Sequence, residues 1–299
     1  MNKTILLVGG SNIDYIATAN DKLIRHSSNI GELEVSFGGV MRNVVENLAR
    51  LGNKCEFITT IGKDKPGEQL KDFMSKDLGV ILYYPDSNKP TSSYLCINDN
   101  NHDMDVGIND MRIIEDLNAG YISKIKDLFL KHEYIILDSN LSNECIKYIF
   151  DTFKDKKIIV EGISATKVIK FRPYLSKIYM LKCNIYEAKA IMNSDVDAKK
   201  LAQMMMKQGC KTCVISQGKD AVCYGENNKA GFVEVKPLKE VIKGNTTGCG
   251  DALFAGIIDH YLAGKSLKES IEFGISLSQL TLDSEKANNP KVSDLYYKH

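Results

Sequence analysis

The sequence has almost no net charge, because its 299 residues carry 39 Lys and Arg against 38 Asp and Glu. A net charge of +1 produces no long-range field that would hold a polyanion, so we expect no binding to nucleic-acid polymers. A single nucleoside or nucleotide remains a possible ligand. Long apolar runs are also missing, since Ile135–Leu137 and Ile158–Val160 fall far short of the roughly 18 residues of a membrane-spanning helix. We therefore expect no membrane partner either.

Linkers and secretion signals are absent as well. The chain has only six prolines, no Pro/Ser-rich tract and no internal repeat, so nothing marks a boundary between sequential domains. The first strand-like run, Ile5–Val8, follows the N-terminus too closely for a signal sequence with its small-residue cleavage site. These features predict a cytoplasmic chain in which residues 1–299 form a single domain.

The eight cysteines do not indicate a disulfide framework, because most of them lie in apolar stretches where a thiol acts as a small hydrophobe. Cys210 and Cys213 form the only C-x-x-C pair. No second pair and no histidine cluster completes a zinc site, so we interpret this pair as structural.

Short β-branched or aromatic runs alternate with longer amphipathic stretches along the chain. This alternation predicts an α/β fold in three α/β/α layers, with a mainly parallel sheet covered by helices on both faces. Helical spacing of apolar residues indicates core-facing helices over 44–51 and 253–262. The predicted strands are Ile5–Val8, Lys54–Ile61, Tyr134–Asp138, Lys157–Val160, Ile178–Lys182, Thr212–Ser216 and Ala221–Tyr224.

Two stretches break this rhythm. Residues 13–37 and 81–108 are strand-like but interrupted by polar turns, and Thr91–Ile97 is the clearest alternating piece. We predict that they form a small antiparallel β lid inserted into the α/β core. An exposed apolar face on such a lid would allow it to pair with a second copy, so a homodimer through the lid is expected.

The segment from Lys243 to Asp251 directly precedes an apolar helix. Gly248 and Gly250 allow consecutive backbone N–H groups to converge at the helix N-terminus, which suits a phosphoryl group. Asp251 either caps the helix or acts as the base that phosphoryl transfer to an alcohol needs, and the dense glycine context favours the base. No Gly-Lys-Ser/Thr follows, so this is not a Walker loop.

Two further segments that contain glycine turns are candidates for ligand binding. Gly38 and Gly39 open a helix in which Asn43 can hold a hydroxyl group, although a plain strand-to-helix connection would look the same. Asn12 and Asp14 follow the first strand and lie two residues apart, so in extended backbone they face one side and can together bind a polyol.

The fourth segment is Asn184-Ile-Tyr-Glu187, at the end of a predicted strand. A carboxylate placed there can order magnesium-bound water near a triphosphate. A helix N-terminal Glu with no metal role is the alternative interpretation.

In this order and at these separations, the four segments resemble the ribokinase (PfkB) family of carbohydrate and nucleoside kinases across essentially the whole chain. Residues 38–52 are similar to the family's first signature and residues 245–256 to its second, while Asn184 and Glu187 match its magnesium-associated motif. The resemblance implies a ribokinase-like fold, ATP and Mg²⁺ as cofactors, and a sugar or nucleoside as the acceptor.

The resemblance also implies roles for individual residues. Asp251 is the expected base, and the backbone of Gly248, Cys249 and Gly250 forms the expected anion hole. Glu187 is the expected metal-associated residue. The expected substrate-binding residues are Asn12, Asp14, Gly38, Gly39, Arg42, Asn43, Asn109 and Asp110. The expected ATP-binding residues are Asn184, Ser216, Gly218, Thr247, Gly248, Gly250 and Asn289.

Within the family, residues 38–52, 108–111 and 284–290 are similar to the pseudouridine kinase subgroup. Of the polar residues Asp105, Asn109 and Asp110, one would then meet the base edge of the nucleoside, or all three form a solvated turn. The alternatives are a kinase of the same fold for another nucleoside or sugar, such as ribose, adenosine or a hexose, and a non-catalytic binding protein.

The sequence departs from the family pattern at two positions. Asn245 stands where many sugar kinases carry Asp next to a monovalent-cation site, which weakens the expectation of activation by K⁺. Cys249 replaces a small Ala and adds a thiol beside the phosphate path, so oxidation or alkylation there is expected to inhibit.

Overall fold

A computed structural model describes residues 4–236, 246–284 and 286–296. In these residues, thirteen strands form two sheets: β1 (Ile5–Val8), β2 (Asn12–Ala19), β3 (Gly31–Gly38), β4 (Cys55–Ile58), β5 (Ile81–Tyr83), β6 (Ser93–Asn98), β7 (Met104–Asp110), β8 (Tyr134–Asp138), β9 (Lys157–Glu161), β10 (Ile178–Asn184), β11 (Thr212–Ser216), β12 (Val222–Glu226) and β13 (Lys229–Val233). The α-helices are α1 (Val40–Arg50), α2 (Lys65–Asp72), α3 (Ala119–Lys124), α4 (Lys126–Lys131), α5 (Asn143–Thr152), α6 (Ala165–Val168), α7 (Ile185–Met192), α8 (Ala198–Lys207), α9 (Cys249–Leu262), α10 (Leu267–Thr281) and α11 (Ser293–Tyr296).

The larger sheet has nine strands in the order β13-β12-β11-β10-β9-β8-β1-β4-β5. From β11 to β5 all neighbours are parallel, whereas β12 and β13 form an antiparallel edge. Asn227 and Asn228 join these edge strands, and both have the left-handed φ that a two-residue hairpin turn requires. The predicted mainly parallel sheet is thus confirmed.

Helices cover both faces of this sheet because successive strand residues point to opposite sides. Leu6 and Val8 pack in one core with apolar residues of α5 and α8, whereas Ile5 and Leu7 pack in the other core with α1 and α9. Each fully buried side chain of this size stabilises the fold by about 1.5–3 kcal/mol. The three-layer α/β/α prediction is confirmed.

The smaller sheet has four strands in the order β3-β2-β6-β7 and lies where the lid was predicted. The prediction of an antiparallel lid was wrong for its central pair, because β2 and β6 run parallel while β3 and β7 pair antiparallel at the edges. The first lid segment, 13–37, falls on β2 and β3. The second was expected to begin at residue 81, but Ile81–Tyr83 pairs in parallel with Cys55–Ile58 at the edge of the larger sheet. A run this short shows no clear alternation, so its sheet could not be assigned from sequence.

The parallel strands place their carboxyl ends along one edge of the sheet. Residues that follow β1, β8, β9, β10 and β11 therefore meet there, which is where open α/β sheets bind ligands. No helix in the described parts of the chain is long and apolar enough to cross a membrane. All eight cysteines are free, and seven of them are buried.

Candidate active site

Helix α9 begins at the centre of this edge. Gly248 is its N-cap and has a φ of +83°, and a Cβ there would overlap the carbonyl oxygen of Ala287. The first N–H bonded along the helix is that of Ala252, which donates to the Gly248 carbonyl at 2.8 Å. The Cys249 amide, which was expected in the anion hole, instead donates to the Thr246 carbonyl at 3.3 Å. The amides of Gly250 and Asp251 are therefore the groups that this helix N-terminus offers to an anion.

Gly248→Ala is expected to abolish most activity, because the backbone must leave the left-handed conformation and move away from Ala287. We expect kcat to fall by more than about 100-fold, since misplaced donors lose their transition-state contacts. Gly264→Ala is the matched control, because Gly264 also has positive φ, at +88°, but nothing lies near its would-be Cβ. Equal kcat for both variants, measured on protein with native circular dichroism, would contradict this requirement.

Asp251 lies in the first turn of α9 and is only 9% exposed. Its Oδ2 accepts a 2.6 Å hydrogen bond from Nδ2 of Asn43, on α1. Burial raises the pKa of Asp251 to about 6, while the Asn43 bond and the nearby charges of Lys182 and Arg42 lower it. A carboxylate with its pKa raised toward neutral meets the requirement for a general base at that pH.

Arg42 was expected to bind substrate, but its side chain is almost fully buried. Its guanidinium donates to the carbonyls of Phe37 and Gly38, to the Asn43 side chain and to Glu46. With these donors used inside the protein, we no longer include Arg42 among the substrate contacts. The sequence could not reveal this, because an Arg in the first turn of a helix is usually solvent-exposed.

The lid meets α1 at Gly38 and Gly39. A Cβ on Gly38 would overlap the Asp14 carboxylate, and one on Gly39 would lie 2.7 Å from the Cα of Ser11. Asn12 donates to Asp14 at 2.5 Å, so both polar side chains share one side of β2 as their spacing predicts. Burial raises the pKa of Asp14, partly offset by Arg42.

The lid register separates Asn109 from Asp110, two of the three residues of which one was expected to meet the base edge. Asp14 pairs with Tyr94, and Tyr94 pairs with Asn109, so Asn109 lies on the same face as Asp14. Asp110 is the next residue and points to the opposite face. There Arg112 binds it at 2.7 Å and lowers its pKa to about 2. We therefore drop Asp110 as a substrate-binding residue.

At the end of β10, Asn184 and Glu187 form a capping box. The Asn184 side chain accepts from the Glu187 N–H at 3.0 Å, and the Glu187 carboxylate accepts from the Asn184 amide and backbone N–H. Glu187 is therefore both a helix-capping residue and a buried carboxylate at the carboxyl edge of the sheet. Ser216 is adjacent to Asn184 across the parallel β10–β11 pair, and the turn after it contains Gly218 with a φ of +67°.

Sequence reasoning missed a buried ion pair beside the anion hole. Lys182 donates from Nζ to Glu161 Oε1 at 2.5 Å, and the Lys182 Nζ lies 3.3 Å from the point where a Gly250 Cβ would stand. Burial opposes the charge on Lys182, but Glu161 raises the pKa of Lys182 overall. The sequence signal for this ion pair was the presence of Glu161 and Lys182 in otherwise mostly apolar strands. Charged side chains are rarely buried unless they are paired.

The segment after α10 packs against the start of α9 and against α1. Asn289 was expected to bind ATP, but it is buried, donates to the Leu280 carbonyl at 2.8 Å and caps a short 3₁₀ helix at Lys291. Its neighbour Asn288 donates to the Asn43 carbonyl at 2.9 Å instead. Thr247 is exposed in the turn before α9. The cation-site position Asn245 lies outside the described residues.

Cys249 contributes its backbone to the first turn of α9, and its side chain is partly exposed. Burial raises the pKa of its thiol to about 11, with a further contribution from Asp251. The thiolate is the reactive species, so the expectation of ready oxidation or alkylation is weakened.

At pH 7.5 we expect iodoacetamide to modify Cys249 about 100-fold more slowly than an unstructured cysteine peptide, because so little thiolate is present. Mass spectrometry of the tryptic peptide, with and without ATP, measures the rate. Modification at the rate of the free peptide would contradict the raised pKa.

An open α/β sheet with a helix N-terminus and a buried carboxylate at its carboxyl edge has the parts that a phosphotransferase site requires. The pfkB family carbohydrate kinase model matches residues 2–294. The chain belongs to this family, and it is a phosphotransferase that acts on a hydroxyl of a sugar or nucleoside.

Individual relatives agree with this assignment. The chain is 33% identical to a pseudouridine kinase of Escherichia coli (strain K12), over 97% of this chain and 93% of the relative. A carbohydrate kinase from Agrobacterium tumefaciens superposes with a TM-score of 0.86 at 22% identity, covering 99% and 97% of the two chains. Ribokinase from Thermotoga maritima superposes with a TM-score of 0.83 at 19% identity, covering 99% of each chain. The fold is therefore ribokinase-like.

Proposed function

We propose that the chain transfers the γ-phosphoryl group of ATP to the 5′-hydroxyl of pseudouridine. The observation that carries the reaction is the buried carboxylate of Asp251, held by Asn43 beside the amides that open α9. The substrate rests on the similarity to the Escherichia coli pseudouridine kinase. Kinases of this family use ATP and a divalent metal.

Each part of the site has a task in this reaction. Asp251 accepts the proton of the attacking hydroxyl, while the α9 amides and Lys182 face the negative charge of the moving phosphoryl group. The carboxylate of Glu187 is the donor type that Mg²⁺ prefers, and Mg²⁺ on nucleotides usually keeps water and only one or two protein carboxylates. Mg²⁺ bound with ATP supplies charge neutralisation, and Glu187 would hold its water shell.

The acceptor is proposed to lie between the lid and α1. Asn12 and Asp14 offer two polar groups on one face, and Gly38 and Gly39 permit close approach of the backbone. Asn109 shares that face two strands away, where its amide can pair with both N–H and carbonyl groups of a base. Ser216 and Gly218 would line the ATP phosphates.

The experiment that tests the proposal measures ADP release with Mg-ATP across pseudouridine, uridine, ribose, adenosine and fructose 6-phosphate at matched concentrations. Rapid turnover with pseudouridine and little with uridine is expected. A preference for a plain sugar would be compatible with Asp251 as the base but would contradict pseudouridine as the substrate. No ADP release with any of the acceptors would favour a non-catalytic binding protein.

Asn109→Ala is expected to raise KM for pseudouridine about 5-fold, because one lost hydrogen bond costs about 1 kcal/mol. Asp110→Ala is the matched control on the neighbouring residue, since Asp110 points to the opposite lid face, and KM should stay at the parent value. An effect of Asp110→Ala alone would contradict this assignment of the two faces.

We also propose that the chain is a homodimer through the lid. The lid face opposite Asp14 exposes four apolar residues in two adjacent cross-strand rows: Leu33, Val35, Val106 and Ile108. Apolar rows of this kind usually mark an interaction surface. Sedimentation velocity of the parent and of Val35→Lys tests this, since a monomeric parent would overturn it and a monomeric variant of a dimeric parent would support it.

A further inference from the structure

A chain of buried charges runs along α1 next to the proposed base. Arg42 and Arg50 both bind Glu46, Arg50 through hydrogen bonds of 2.9 and 2.7 Å to Oε1. The Arg42 and Glu46 side chains are 2% and 6% exposed, whereas Arg50 is 19% exposed. Burying such a pair is costly, so a hydrophobic pair of similar size would often serve stability equally well.

The other donors of Arg42 hold the end of the lid. Its Nη2 donates to the Phe37 carbonyl at 2.5 Å, and its Nε donates to the Gly38 carbonyl at 3.2 Å. Phe37 and Gly38 are the last residues of β3. One rigid guanidinium thus connects the end of the lid strand β3 to helix α1, which carries Asn43.

Arg42 also determines which end of the Asn43 side chain meets the base. It donates to Oδ1 of Asn43, which leaves the Nδ2 group of Asn43 to donate to Asp251 at 2.6 Å. An amide with its oxygen held by a cation must present its NH₂ group on the other side. Lysine could supply the charge at this position but not the fork of donors.

We propose that Arg42 is a positioning residue, which orients Asn43 toward Asp251 and keeps the lid strand aligned with the base. This inference rests on the proposed role of Asp251. The proposal gives Arg42 no substrate contact, because four of its five N–H donors bond inside the protein.

The charges around Asp251 give this role a measurable signature. Arg42 on α1 and Lys182 on β10 favour its ionised form, whereas Asp138 at the end of β8 and Glu161 on β9 oppose it. Removing the Arg42 charge raises the pKa of Asp251. The base then protonates at higher pH, so the acid limb of kcat moves upward.

The test uses the double variant Arg42→Met with Glu46→Met, which removes both buried charges and leaves neither one unpaired. We expect kcat to fall by about 10- to 100-fold through misplacement of the base. We expect the acid limb to move up by less than about 1 pH unit, because the lost Arg42 charge lowers the pKa of Asp251 in the parent and the lost Glu46 charge offsets part of this change. Arg50→Met is the matched control, because Arg50 binds Glu46 but neither Asn43 nor the lid, and it should change neither value.

Arg42→Lys separates charge from geometry, and it serves if the double variant does not fold. The acid limb should stay in place while kcat falls, because the charge persists and the fork is lost. A double variant, or Arg42→Lys, with parental kcat and limb would overturn the proposal. Asp251→Asn is measured in parallel. If that variant keeps the parental kcat and acid limb, Asp251 is not the base, and this outcome is distinct from failure of the proposal for Arg42.

Discussion

Asp251→Asn is expected to lower kcat by about 10²- to 10⁴-fold, the range that positioned general bases contribute. The substitution keeps the size of the side chain and an oxygen that can accept the Asn43 hydrogen bond, so the fold should be retained. What is lost is the group that takes the hydroxyl proton as the phosphoryl group transfers.

Asp259→Asn is the matched control for this prediction. Asp259 lies two turns further along α9, where it accepts a 2.6 Å hydrogen bond from Asn53, away from the anion hole. It should leave kcat at the parent value. Turnover of Asp251→Asn within a few-fold of the parent would show that another group is the base.

The pH profile should report the same carboxylate. Burial raises the pKa of Asp251 to about 6, so the base is ionised above that pH and becomes protonated as the pH falls through it. We expect kcat/KM to decline about tenfold per pH unit below pH 6, since only the ionised form accepts the proton. A flat profile from pH 5 to 8 in the parent enzyme would contradict this.

Lys182→Met is expected to lower kcat by about 10²- to 10³-fold, comparable to removal of one anion-hole donor. The Lys182 ammonium lies against the first turn of α9, with its charge buried by the sheet. In a site with little water, a fixed positive charge interacts strongly with the negative charge of the transferring phosphoryl group.

The single variant leaves Glu161 buried and unpaired, which alone destabilises by about 3–5 kcal/mol. Lys182→Met combined with Glu161→Leu removes both partners and should restore stability without restoring kcat. Thermal unfolding and single-turnover kinetics measure the two effects separately. If the double variant recovers the parental kcat, Lys182 serves the fold and not the reaction.

The features most predictable from sequence were local. Strand and helix periodicities indicated a mainly parallel α/β sheet, because the pattern of burial repeats within each element. The glycines around Asp251 predicted a tight turn at a helix start, since only glycine accepts the φ found at Gly248. Asn12 and Asp14 were placed on one side by the pleat of a strand alone.

Tertiary structure decided the features that depend on distant chain segments. The lid register put Asn109 on the same lid face as Asp14 and Asp110 on the opposite face, a difference of one residue that no local pattern reveals. Sheet order placed Ile81–Tyr83 outside the lid. Packing buries the Arg42 side chain inside the protein, although its sequence context suggested a contact with a ligand.

By itself, the sequence determined the layered fold, the glycine-rich helix start and the carboxylate at it, because each depends on neighbours along the chain. Only the tertiary structure decided which groups surround that carboxylate. Asn43 reaches Asp251 across 208 positions, and Lys182 meets Glu161 through adjacent parallel strands. The proton affinity of the base is set by that packing, since desolvation and nearby charges act through space and not along the chain.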